Sequence, residues 1–462
     1  MLVDPAFRRE LVRARRLAVR RLWLALASPV MLRDFVALAR LARAEPSGAQ
    51  PEQETLAALV AHLRRVPFYA RFAADLDRDG DSRDGDPRGA VLSRLPVLRK
   101  RDLQESFADL IARDDDGTVG GQIAISRTSG STGSPTSHLS GPDEPRWDAA
   151  LFSRALRDVG APRSGHLWDA GLSTPEAPEV RPTCYPPYRF VQWGFFTYFN
   201  DAGRRQNLAV LATTRPAVIL GLPSRLLAIA NQVREHDLTV RPAAVFSSYE
   251  RLNGTVRQFL TDTFACPVRD LYGTAELGLC GWECRAGRIH FPPDAVIVEV
   301  LDTAGRPAPP GEAGRLVISS LKSWIMPILR YETGDLARAA SGPCRSGRVW
   351  PSVESLLGRE NAAVVARDGQ LVPPYLLLSL LDDLGLREYQ VIPRAPGELA
   401  LIVPLTTDLP EGSIQRLCRQ LQERSGHELA ITVIPTGQFV IGPSGKREPI
   451  AQGNGIAAEV RR

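Results

Sequence analysis

A chain of 462 residues, 44% hydrophobic and 24% charged, has room for two or three domains around a large buried core and the composition of an ordinary soluble globular protein. Its net charge of +5 is concentrated in residues 1–50, where arginines outnumber Asp4, Glu10, Asp34 and Glu45. Basic residues are not interleaved with aromatics and no binding module is visible, so nucleic acid is not an expected partner.

Residues 6–44 carry apolar side chains at helical spacing, among them Leu32, Phe35, Val36 and Leu38. Residues 1–50 therefore read as a basic helical extension that packs either on the rest of the chain or on a second subunit, the latter giving a homodimer. The uncharged run Leu22–Leu32 is interrupted by Pro29 and is too short to span a membrane. It also lacks the cleavage site of a signal peptide. Asp75, Asp77, Asp79, Gly80 and Asp86 imitate a calcium loop, but Asp86 stands where a bidentate Glu is needed and Pro87 interrupts any following helix. A charged surface loop is the better reading.

Residues 126–136 read Ser-Arg-Thr-Ser-Gly-Ser-Thr-Gly-Ser-Pro-Thr. Gly130 and Gly133 remove side chains that would hold a backbone away from a phosphate, so successive N–H groups can face an anion while the hydroxyls add rotatable donors. Taken alone, such a run is more often a flexible linker. Ile123 and Ile125 mark a strand feeding it. The loop lacks the Gly-Lys-Ser/Thr ending of a Walker-type site.

From Ser126 to about Leu357, apolar runs alternate with helical stretches, the pattern of a layered α/β architecture. Residues 209–212, 217–220 and 243–246 are expected strands; 223–233 and 253–263 are expected helices. After Gly287 the pattern turns to hairpins, with strands at 295–300 and 314–319 around a turn at 302–306, which predicts a small β-rich subdomain. A boundary near Gly358-Arg359 divides a large multi-layer N-terminal domain, residues 1–357, from a small α+β C-terminal domain, residues 358–462. In the latter, 389–392 and 399–403 are expected strands and 411–426 a helix.

Thr128–Thr136, Tyr272-Gly273-Thr274-Ala275-Glu276, Tyr331-Glu-Thr-Gly-Asp335, Gly358-Arg359 and Gly445-Lys446 follow one another in an order and spacing that resembles the acyl-adenylate-forming (AMP-binding) superfamily, in its phenylacetate–CoA ligase-like branch. The resemblance spans roughly residue 60 to the C-terminus. It implies that Thr128, Ser129, Gly130, Ser131, Thr132 and Gly133 hold the leaving phosphates of ATP, with Ser134 where many relatives carry lysine. It places Tyr272, Gly273 and Thr274 along the adenine and Glu276 on a magnesium ion, with Ala275 replacing the usual hydroxyl residue. Asp335 would accept from both ribose hydroxyls, and Arg359 would contact ribose or phosphate, with Glu360 and Asn361 near the hinge.

Lys446 is then the catalytic lysine, its ammonium countering charge that accumulates in transfer. Only Lys100, Lys322 and Lys446 are lysine among 57 basic residues, so each retained lysine is informative. In the family the small domain rotates between half-reactions.

An aromatic stretch, 188–200, includes Trp193, Phe195 and Phe196 and is the expected pocket for an aromatic or apolar acid. Cys284, His290 and Cys344 resemble a structural zinc site of some relatives, with Ser346 in place of the usual second cysteine after Cys344, so that Cys280 or water would complete four-coordination; ordinary buried thiols are the alternative. The six cysteines are scattered rather than dense, which argues for a reducing, cytoplasmic setting. The implied reaction is ATP- and magnesium-dependent activation of a carboxylic acid followed by transfer to CoA. Transfer to an amine or to a carrier-protein thiol, and a nucleotide-binding homologue without catalysis, are the alternatives.

Overall fold

The computed structural model describes residues 29–44, 58–72, 92–114, 117, 119, 123–127, 136–170, 180–185, 188–194, 208, 211, 213–442 and 446–451. Among these, strands β1 (Ala124–Arg127) and β2 (Ser137–Ser140) form an antiparallel pair. The main sheet is built from β3 (Ser164–Ala170), β4 (Val180–Tyr185), β5 (Tyr188–Gly194), β6 (Val218–Gly221), β7 (Ala244–Ser247), β8 (Val268–Thr274), β9 (Gly278–Glu283), β10 (Ile289–His290), β11 (Val296–Leu301), β12 (Ala313–Ser320), β13 (Tyr331–Ala339) and β14 (Ser352–Arg359). Its order is β11-β12-β13-β14-β10-β9-β8-β7-β6-β3-β5-β4.

The sheet changes character at β8. From β5 through β3, β6 and β7 to β8 neighbours run parallel, whereas β8 pairs antiparallel with β9 and the remaining strands continue antiparallel. The hairpins expected after Gly287 thus continue the parallel part edge to edge.

Parallel strands must be covered on both faces because their crossovers lay helices there. Here Val218, Ala244 and Phe246 join one core with Leu151, Phe152, Ala155 and Leu156 of helix α2 (Asp143–Asp158). Their neighbours Ile219 and Val245 face a second core with Leu226, Ala230 and Val233 of α3 (Pro223–Glu235) and Val256, Leu260 and Phe264 of α4 (Gly254–Phe264). Asn253 starts α4, its side chain accepting from Val256 N at 2.7 Å.

Helix α1 (Pro29–Arg43) lies against α2, where Arg154 donates to the Leu41 carbonyl at 2.8 Å and to Asp294. The segments 58–72 and 92–114 pack against the body and hydrogen-bond to its 324–332 stretch. Leu98 N donates to Arg330 O and Glu332 N to Leu98 O, both at 2.9 Å, while Tyr69 bonds Pro327 O and Leu329 N.

Residues 209–212 were expected to form a strand. Leu208, Leu211, Thr213 and Thr214 are helical instead, and Leu208 and Leu211 are buried at helical spacing against the second core; a short apolar run cannot by itself separate strand from helix.

After Arg359 the chain leaves the sheet and builds a third core from Val364, Leu377, Leu381, Val391, Leu401, Leu417 and Leu421. Its elements are β15 (Val364–Val365), β16 (Leu371–Val372), α5 (Pro374–Asp382), β17 (Gln390–Ala395), β18 (Glu398–Pro404), α6 (Ser413–Ser425) and β19 (Ala430–Thr436). Strand β18 lies between antiparallel β17 and parallel β19. This unit docks on the body through Arg251, which grips Asp382 with both guanidinium nitrogens, and through Asn253, which donates to Leu386 O at 3.4 Å.

Candidate active site

The site collects where β8 ends. Tyr272, Gly273 and Thr274 close the strand, and the chain turns through Ala275–Leu277 into β9. The turn is tight enough that a Cβ on Gly273 would overlap the Gly278 carbonyl. Thr274 Oγ1 accepts from Leu277 N at 3.1 Å, folding the turn onto itself. Glu276 therefore stands in a strand-to-strand turn rather than at the start of a helix, with only 9% of its surface exposed. Tyr331 faces it; burial first, then the Glu276 charge and its hydrogen bond, raise the Tyr331 phenol well above its ordinary pKa and keep it protonated.

Asp335 and Arg359 are register partners on adjacent β13 and β14. The Arg359 guanidinium donates to Asp335 Oδ1 at 3.3 Å and to Thr333 O at 3.0 Å. The other carboxylate oxygen accepts the Tyr272 hydroxyl at 2.8 Å. Burial and the Asp335 charge hold the Tyr272 phenol well above its usual range, so it acts as a donor. Two residues far apart in sequence thus clamp one carboxylate from opposite sides.

Lys446 approaches from the C-terminal unit, with its ammonium 5.6 Å from the centre of the Tyr249 ring. Tyr249 is half exposed and adopts a left-handed φ of 73°, a conformation that costs a tyrosine energy and recurs at functional positions. Its neighbour Glu250 accepts Arg447 N at 2.8 Å through one oxygen and Ser224 N at 3.1 Å through the other. Glu448 lies within electrostatic reach of Arg359, Lys446, Glu250 and Asp335; burial raises its pKa against the opposing charges of Arg359 and Lys446.

Thr128–Gly133 lie outside the described residues. The loop's flanks are set by β1 and β2, where Arg127 pairs with Ser137, and by Thr136, which is buried. Two residues past Thr136, His138 turns into the same region; burial lowers its pKa, opposed by the Glu276 and Asp148 charges. Trp193 is in β5, in register with Trp168 of β3; Phe195, Phe196, Ser444, Gly445 and the run 75–86 lie outside the described residues.

Sequence reasoning missed Tyr249, Glu250, His138 and Glu448. Glu448 and His138 could have been noticed as titratable residues beside recognised motifs; nothing local marks Tyr249 or Glu250.

The family model for AMP-binding enzymes matches residues 187–327. Phenylacetate-coenzyme A ligase of Thermus thermophilus is 26% identical over 448 residues, covering 86% of this chain and 94% of that protein. The enzyme of the same name from Escherichia coli is 24% identical over 393 residues, covering 78% and 83%. The chain is thus similar to AMP-binding enzymes and, over most of its length, to phenylacetate-coenzyme A ligases. Among solved structures, 2-hydroxyisobutyryl-CoA ligase in the postadenylation state with 2-HIB-AMP superposes with a TM-score of 0.66 at 18% identity, over 89% of this chain and 90% of that one. It has the same adenylate-forming fold.

Away from these residues, Cys284, His290 and Cys344 bring their donor atoms within 4.8 Å of one another. The two sulfurs are 3.6 Å apart. His290 Nδ1 faces the Trp350 carbonyl at 3.2 Å, while its Nε2 is buried without a hydrogen-bond partner. Burial pushes His290 down to about 4, so the ring is neutral. Burial opposes ionisation of Cys344, but hydrogen bonds from Ser346 and Cys284 and the nearby Arg288 bring its thiol below the ordinary value.

Cys280, expected as a fourth ligand, is elsewhere. Its thiol bonds Gly278 O at 3.5 Å, within electrostatic reach of Lys322, Asp148 and Glu276, and burial drives it up to about 12. The oxygen that accompanies the cluster is Ser346 Oγ, 3.2 Å from Cys344 Sγ.

Proposed function

We propose that this chain is an AMP-forming acid–thiol ligase: it activates a carboxylic acid, aromatic or apolar, as an acyl-adenylate and passes the acyl group to the thiol of CoA. The observation that carries the reading is the Asp335 carboxylate held between Tyr272 and Arg359, on the cleft into which the C-terminal unit brings Lys446. The named activities of the phenylacetate-coenzyme A ligases support the same reaction class.

An acid and ATP are both anionic, so the site must align them and neutralise charge. Asp335 offers ribose hydroxyls an acceptor already fixed in place by two donors. Lys446 supplies a mobile positive charge for the α-phosphate and the attacking carboxylate, and Thr128–Gly133 supply donors for the departing phosphates. The buried oxygen donors of Glu276 suit magnesium, a hard cation that neutralises phosphate charge when bound. Residues 358–462 act as the lid, pivoting near Glu360 and Asn361, so that Lys446 withdraws before the thiol enters.

Cys284, His290 and Cys344 fit zinc: two thiols, a neutral imidazole and an orphaned buried Nε2 converge at one point, with Ser346 or water completing four-coordination. The ion's role is structural, pinning the β9–β10 hairpin to the 341–349 loop. Among the described residues no helix is long and apolar enough to cross a membrane. Cys266, Cys280, Cys284, Cys344 and Cys418 are free thiols, and the setting we propose is cytoplasmic.

The test is pyrophosphate release with magnesium-ATP and a panel of aryl and fatty acids, with and without CoA. Release that depends on one acid, collapses in Lys446→Ala and yields acyl-CoA supports the reading. ATP binding with no acid-dependent release from any panel member speaks against it.

A further inference from the structure

Lys322 is 1% exposed. Its ammonium donates to Asp148 Oδ1 at 3.1 Å and to the Leu279 carbonyl at 2.7 Å. The same Asp148 oxygen accepts Leu279 N at 3.0 Å. The ion pair therefore holds both backbone groups of Leu279, the second residue of β9.

Immediately before it, Gly278 adopts φ +67°, and a Cβ there would overlap the Asp148 carboxylate. The turn that carries Glu276 is thus fixed at its far end by Lys322 and Asp148, as it is closed at its near end by Thr274. Lys322 also leads, through Pro327–Arg330, to Tyr331, the tyrosine that faces Glu276. Asp148 sits on α2, within electrostatic reach of His138, as Glu276 is.

Burying an ammonium is costly unless paired and fully hydrogen-bonded, and such a pair adds little stability over apolar packing. What it can supply is a single backbone geometry. The chain's composition argues that this geometry matters: among 57 basic residues only three are lysine, yet one of them fills this enclosed position. A guanidinium is wider, planar and must place five donors, and the space between Asp148 and Leu279 O suits a compact ammonium.

We propose that Lys322 and Asp148 are positioning residues for Glu276, holding the 275–278 turn so that its carboxylate meets the metal-bound phosphates of ATP. The proposal rests on the reading of Glu276 as the magnesium-binding carboxylate, and its test needs no knowledge of the acid. The magnesium concentration that half-saturates ATP binding would be measured for wild type, Asp148→Asn, Lys322→Met, Lys322→Arg and Glu276→Gln. AMP binding without metal, governed by Asp335, is the control.

Asp148→Asn keeps the shape of the clamp and is expected to raise the magnesium requirement about tenfold or more, as loss of a metal's outer-shell partner typically does, while AMP affinity stays at the wild-type value. Lys322→Arg should not rescue. Adding Asp148→Asn to Glu276→Gln should cause no further rise, because both act through one carboxylate. A normal magnesium requirement in Asp148→Asn beside a raised one in Glu276→Gln overturns the positioning role and leaves the reading of Glu276 intact. If Glu276→Gln also binds magnesium-ATP normally, both fall. Equal loss of AMP and magnesium-ATP binding in Asp148→Asn marks the pair as merely structural and overturns the proposal as well; Asp148→Asn decides the matter if Lys322→Met does not fold.

Discussion

The Tyr272 hydroxyl and the Asp335 carboxylate lie 2.8 Å apart, joining strands that are not neighbours in the sheet. A ribose that binds Asp335 meets an acceptor whose orientation is already set. Asp335→Asn should weaken AMP and ATP binding by about tenfold to a hundredfold, the range for losing hydrogen bonds to a charged group. Tyr272→Phe keeps the ring and should lose less. Calorimetric titration of AMP into the three proteins checks both.

Lys446→Ala removes a charge of the C-terminal unit without touching the clamped carboxylate. Adenylation should fall by about a hundredfold or more, the size of a lost transition-state charge contact, whereas nucleotide affinity changes little. Thioester formation from a preformed acyl-adenylate and CoA should survive. Rapid-quench measurement of the two half-reactions separates these effects.

Arg251 and Asp382 tie the C-terminal unit to the body, with Tyr389 donating to the same carboxylate at 3.0 Å. The pair is about one-quarter exposed on each side, so solvent screening limits its worth to about 1 kcal/mol. Asp382→Ala should slow adenylation about fivefold through a less populated docked arrangement, by the usual conversion of free energy to rate. It should leave the thermal midpoint of the body nearly unchanged; single-turnover kinetics and calorimetry measure the two.

Asp270 is half-buried next to Glu283 with one carboxylate oxygen enclosed, and desolvation, then that neighbouring charge, lift it to about 7. An acid whose folded pKa is raised binds more protons folded than unfolded. Its contribution is complete below its unfolded pKa and is lost as pH rises through the folded one. Wild type should therefore lose stability relative to Asp270→Asn between about pH 4 and about pH 7. Urea midpoints of the two proteins across that window give the difference directly.

For the thiol–imidazole cluster, the purified protein should carry about one zinc per chain, measured by elemental analysis. Cys284→Ser and His290→Ala should lower that content and the thermal midpoint together, while Cys280→Ser leaves the metal content unchanged.

Much of the site was legible because its motifs are local and their register is simple. Tyr272–Glu276 occupies one strand end and its turn. Asp335 and Arg359 meet because the two motifs fall on adjacent antiparallel strands. The helix expected at 253–263 is present as Gly254–Phe264, and the Asn253 side chain caps it. Three things were not legible. The run at 209–212 is too short for periodicity to separate strand from helix. Cys280 lies within β9 and Cys284 just past its end, but only placement against Cys344 shows which one joins His290. The contacts of Glu250 with Arg447 and of Lys322 with Asp148 span 197 and 174 residues, and no spacing rule reaches that far.

The threading of Leu98 between Arg330 and Glu332 has a consequence for biosynthesis. Tyr69, Leu98 and Ala112 leave the ribosome more than 200 residues before their partners in the 325–332 segment. At about 5–20 residues per second, that delay is roughly ten seconds to almost a minute. Throughout it, Leu59, Leu63, Leu92, Leu95 and Leu103, all buried in the finished core, have no native surface to cover them. The chain should thus engage holdase chaperones early in translation. Truncations ending before residue 332 should aggregate, because a segment made early is among the last to be housed.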